Sequence, residues 1–92
     1  MRNSRFAAVA ATPAVGLEVI NAVSDVTLDN VTFDGGSFRW SDYAFKGSAA
    51  VTRLRATRVY LLSGSHVLLP TGTTGTLSVA AATGDSRTDW TP

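Results

Sequence analysis

Residues 25–36, Asp25-Val-Thr-Leu-Asp-Asn-Val-Thr-Phe-Asp-Gly-Gly36 (DVTLDNVTFDGG), decide the fold class. Val26 and Leu28 share one parity, Val31 and Phe33 share the other, and an Asp-Gly-Gly turn follows. Apolar residues alternating with polar ones are the signature of a half-buried strand. Side chains of a strand point to opposite faces at every step, so a change of parity within it requires a bulge or a corner. Twenty-eight residues on, the pattern returns: Leu54 and Ala56, then Val59 and Leu61, then Ser63-Gly64-Ser65. Two elements of the same bent shape are expected.

Around this echo the chain reads as strands near 17–21, 25–33, 37–40, 50–62, 66–69 and 75–82. Turns are expected at Asp34-Gly35-Gly36, Ser63-Gly64-Ser65, Pro70-Thr71-Gly72 and Thr83-Gly84-Asp85. One helix-compatible piece, RFAAVAATPAVG (residues 5–16), would be stopped by Pro13 and Gly16 after about two turns. Residues 1–16 read as a flexible N-terminal arm ordered by a neighbour, and 17–92 as a single β domain. The arginines ahead of the alanine-rich run resemble a signal peptide only weakly, since the run is short and broken by Thr12-Pro13. No run approaches the ~20 apolar residues of a membrane span.

The expected fold is all-β. A small sandwich or barrel is favoured for a chain of 92 residues, with the bent elements crossing between sheets. The alternative is a short right-handed β-helix within a trimer, in which inward residues of successive coils stack. DVTLDNVTFDGG is similar to the coils of the pectate-lyase-like right-handed β-helix family, which implies that second architecture.

Composition narrows function by exclusion. A domain of this size buries only about 60–65% of its unfolded surface. It has no cysteine for a disulfide or thiolate metal site, so self-association, most simply as a homotrimer, is the expected source of added stability. Eight basic and seven acidic residues leave a formal charge of +1, with seven of the bases being Arg. Nucleic acid is not an expected partner, because a polyanion binder carries a basic excess along one face. Arg53, Arg55 and Arg58 read as one solvated strand face.

No catalytic constellation is visible and no enzyme activity is expected. His66, the only histidine, follows Ser65, and adjacent strand residues point apart, which prevents a nucleophile–base hydrogen bond. Asp25, Asp29 and Asp34 with Asn30 lack the spacing that closes a calcium loop. No metal or cofactor is expected. The sequon Asn30-Val31-Thr32 reads as strand.

The richest segment is residues 34–45, DGGSFRWSDYAF, holding four of the eight aromatic residues. On a strand Phe38 and Trp40 share a face, Arg39 points the other way, and Tyr43 and Phe45 share a face beyond the Ser41-Asp42 turn. One pair can enter the core and the other is left for a partner, with Trp40 and Arg39 expected at the contact. On the arm, Phe6 and Val9 are the expected apolar anchors, and Arg2 and Arg5 the expected partners of acidic groups.

GGSFRWSDYAF (residues 35–45) resembles a Gly-Ser/Thr-Phe-Arg-aromatic-acidic segment of the lambda-type head decoration proteins of tailed bacteriophages. That resemblance implies a small all-β protein that trimerises on the capsid and reinforces the major capsid protein, using an N-terminal arm. YLLSGSHVLLPTGTTGTLSVAAATGD (residues 60–85) resembles the strand-turn-strand units of phage tail-fibre domains. Together they imply a structural protein located in the virion. The alternative is a carbohydrate- or receptor-binding β module of a tail fibre or spike.

Overall fold

In the computed structural model the described residues are 1–7, 15–36 and 43–89. They form ten strands: β1 (Arg2–Ala7), β2 (Leu17–Val19), β3 (Val23–Ser24), β4 (Thr27–Asp34), β5 (Phe45–Gly47), β6 (Val51–Thr52), β7 (Leu54–Leu62), β8 (His66–Leu68), β9 (Gly75–Ala82) and β10 (Arg87–Asp89). Three sheets result, in the orders β1-β4-β7-β9, β10-β8-β5-β2 and β3-β6. No helix among the described residues is long and apolar enough to cross a membrane.

The fold is all-β, and every ladder in it is parallel. The chain places one strand in each sheet as it winds: β2, β3 and β4 make one coil, and β5, β6 and β7 the next, directly on top. Leu28 lies beside Ala56, Val31 beside Val59 and Phe33 beside Leu61. The echo in the sequence is therefore the repeat of a stacked coil. The sandwich or barrel preferred from length is not borne out: the sheets are parallel and, among the described residues, do not close. The two bent elements lie alongside one another instead of crossing between sheets.

The parity step has a local cause. Asn30 and Arg58 adopt left-handed backbone, with φ of 57° and 51°. One such residue turns the strand without ending it, so Leu28 and Val31 both face inward although three positions apart. Asn tolerates this conformation because its short side chain bonds locally, whereas Arg accepts a penalty. Because β4 and β7 bend at corresponding residues, their ladder stays in register. β9 has no corresponding residue in left-handed backbone, and its register to β7 shifts between Ala56 and Tyr60. Asn3, with φ of 50°, lies one coil earlier; its Oδ1 accepts a 2.8 Å hydrogen bond from Asn30 Nδ2.

Residues 2–7, the first part of the expected arm and in part of the helix-compatible piece, form β1 and pair along β4. Residues 8–14, the remainder of that piece up to Ala14, lie outside the described residues, as does the strand expected at 37–40. The third sheet is short because threonines do the work of a strand. Thr73 and Thr74 accept the N–H groups of Val51 and Arg53 through their hydroxyls, at 3.3 and 2.9 Å, and Thr74 N–H returns a bond to the Val51 carbonyl.

The core is the column inside the coils: Leu28, Val31, Phe33, Phe45, Val51, Leu54, Val59, Leu61 and Val67 are buried. Phe33 is its centre. Its ring stacks on Phe6 at 5.2 Å and on Phe45 at 6.0 Å, nearly parallel to both. Ser65, also buried, directs its hydroxyl to the Phe33 and Leu62 carbonyls and so closes the corner beneath this stack.

Candidate functional site

The corners of the coils gather the charges. Asp25 and Arg53, both in left-handed backbone and 28 residues apart, form a two-pronged pair, with Arg53 Nε and Nη2 at 2.6 and 2.8 Å from the carboxylate. Asp29 stands between two coils. Arg58 reaches it at 2.8 Å, Arg2 at 3.6 Å and the Thr57 hydroxyl at 3.3 Å. Asp34 takes Arg5 and also accepts the Gly36 N–H at 2.8 Å, which fixes the Asp-Gly-Gly turn. Asp25, Asp29 and Asp34 thus sit apart from one another, each against an arginine. Among the described residues no group of three or more metal-ligating side chains is present.

This pairing sets the ionisation. The hydrogen bond from Arg53 holds the Asp25 carboxyl below the usual carboxylate range, and that from Arg58 does the same for Asp29. A carboxylate whose folded pKa lies below its unfolded value adds stability above the unfolded value and loses it as pH falls through the folded one. The thermal midpoint is therefore expected to be flat near neutrality and to fall once pH drops below about 3.9, the ordinary aspartate value. Asp29→Asn should flatten that decline, and added salt should weaken the pairs, which are exposed. A midpoint equally pH-dependent in wild type and Asp29→Asn would remove this account.

The residues expected to meet a partner are divided by the structure. Phe38, Arg39, Trp40 and Val9 lie outside the described residues. Phe45 is fully buried and serves the core. Tyr43 is half-buried, its ring 6.5 Å from that of His66 and tilted to it. His66 points outward while Ser65 points in, as alternation requires. The His66 Nε2 lies 2.7 Å from the Asp85 carbonyl, so that nitrogen is the donor. Arg87 is its neighbour across the ladder. Phe6 packs inward on Phe33, and Arg2 and Arg5 pair with Asp29 and Asp34 of their own chain.

Both ends of the coil stack carry surfaces that the sequence pattern did not single out. At the N-terminal end a groove of about 570 Å³ runs beside β2 and β3, each the last strand of its sheet among the described residues, lined by Met1, Leu17, Val19, Ile20, Val23 and Phe45 among others. Ile20 there is 69% exposed. At the other end β9 is the outer strand of its sheet and carries no charged residue. The apolar residues Val19, Ile20, Ala22 and Val23, interrupted only by Asn21, were the available signal for the groove. No protein-family model, no curated protein and no solved structure matches this chain.

Proposed function

We propose that the chain is a non-enzymatic structural module of a bacteriophage particle, a short β-solenoid of the kind suited to a tail fibre or spike. The observation that carries this reading is the in-register parallel stack itself. Its hydrogen bonds, ring stack and corner ion pairs run from coil to coil along one axis, and among the described residues its sheets end in edge strands that neighbours can cover. Its carboxylates at positions 25, 29 and 34 are engaged with arginines that hold the coils together. A head decoration role draws its support mainly from residues 35–45, and the parallel stack adds nothing to it.

Carbohydrate binding is the second reading, favoured by one feature: Tyr43 and His66 present neighbouring rings on the outer side of the second sheet, next to Arg87. Aromatic rings beside a guanidinium are what a sugar surface requires.

Mass spectrometry of purified particles is expected to find the chain at a fixed ratio to the other virion proteins, resistant to washing in high salt. Absence from particles would overturn the proposal. Retention on a polysaccharide array that is lost in Tyr43→Ala and His66→Ala would transfer support to the second reading.

A further inference from the structure

The two ends of the stack are guarded unequally. At the N-terminal end the outer strand β1 displays Arg2 and Arg5, with side chains 75% and 60% exposed. Charges on an edge strand discourage pairing with another chain. At the C-terminal end the outer strand β9 runs for eight residues, Gly75-Thr-Leu-Ser-Val-Ala-Ala-Ala82, with no charge and no proline. One side of β9 is bonded to β7, and among the described residues no strand pairs with the other. Leu77 is only half-buried and Val79 is 37% exposed, so the core beneath this edge is incompletely covered.

Another strand can therefore add here, and the charges choose which. If a second copy stacked head to tail, continuing the coils, its Glu18 would fall in the column formed by Glu18, Lys46, Leu68 and Asp89. That sets Glu18 directly beside Asp89, a like-charge contact between neighbouring strands that is destabilising. An uncharged strand meeting its own copy has no such conflict. A strongly charged partner strand would find no complement along β9.

We propose that β9 is a self-association edge, pairing antiparallel with β9 of a second copy across a two-fold axis and joining two four-stranded sheets into one of eight. Such a contact uses the same patch on both chains and closes on itself. The uncharged β9 edge is thereby consumed, and the β1 edges with Arg2 and Arg5 are left outward. The proposal concerns only this edge and holds whichever virion or carbohydrate reading of the chain is correct.

The test is light scattering and sedimentation of the 92-residue chain across a concentration series. A discrete monomer–dimer equilibrium is expected. Introducing Ser78→Lys with Ala80→Lys should abolish the dimer by setting like charges across the axis. A chain bearing Ser78→Glu with Ala80→Glu should also be monomeric, and mixing the two should restore a mixed dimer, a rescue that misfolding would not give. If the double lysine variant fails to fold, Ser78→Glu alone, with circular dichroism as the folding control, carries the same readout. A wild-type monomer at every concentration overturns the proposal. So does an open-ended series of sizes that grows further in Asp89→Arg, since removing the Glu18–Asp89 repulsion would then have released head-to-tail stacking.

Discussion

Replacing Phe33 by alanine is expected to leave the chain largely unfolded at 37 °C. The side chain is fully buried, and its ring lies between Phe6 of the preceding coil and Phe45 of the next sheet. Truncating a buried Phe to Ala costs about 3–5 kcal/mol through lost transfer energy and the cavity left behind. Each ring pair lost adds about 0.5–1.5 kcal/mol. Native domains are stable by about 5–15 kcal/mol in total, and a chain this short belongs near the lower end. The cavity cannot close easily, because Val31, Val59 and Leu61 are held by ladder register and cannot move inward without breaking it. Phe33→Leu, which keeps most of the volume, should cost about 1–1.5 kcal/mol. Tyr60→Ala, on the outer side of β7, should change stability by less than about 1 kcal/mol. Urea midpoints of the three variants decide the matter: a Phe33→Ala midpoint no lower than that of Tyr60→Ala would mean that the ring does not sit at the centre of the coils.

The repeat behind this core was legible, and its direction was not. Leu28, Val31 and Phe33 echo as Ala56, Val59 and Leu61 at constant offset, and the structure pairs those residues. Periodicity of two is common to parallel and antiparallel strands, so the pattern alone left sandwich, barrel and β-helix open, and chain length tipped the choice toward the first two. The constant offset was the stronger signal, since only stacked coils need equal spacing. The same offset placed Arg53 over Asp25, which composition had assigned simply to a solvated face. Strand β1 left no pattern, because Arg2-Asn-Ser-Arg-Phe-Ala7 has one large apolar residue; it becomes a strand by pairing along β4. β3, β5 and β10 are two or three residues long, too short for any period to show. The edge at β9 was readable as a strand, but its openness depends on what lies beside it, which a single strand's residues do not state.

Gly75 is where that outer strand is most easily detached. Its φ is +118°, in a region that L side chains rarely enter, and a Cβ there would come within 2.8 Å of the Leu54 carbonyl carbon. The crowding atoms are backbone, so they cannot swing aside as a flexible side chain would. They also belong to the first rung of the β7–β9 ladder, where Leu54 pairs with Gly75. Strained backbone costs about 1–3 kcal/mol and overpacking a tight site about as much again. Gly75→Ala is therefore expected to destabilise the chain by about 2–6 kcal/mol, and Gly75→Val by more. The loss should be local before it is global, because β9 is held by one ladder only whereas β4 is held by two. Amide exchange should show residues 75–82 losing protection first, with residues 27–34 still slow, and dimerisation through β9 should disappear in step. A neighbouring substitution, Thr76→Ala, keeps the backbone unstrained and should cost less than about 1 kcal/mol. If Gly75→Ala melts with Thr76→Ala and residues 75–82 stay protected, the close approach of the two chains at Leu54 is not what fixes the start of β9.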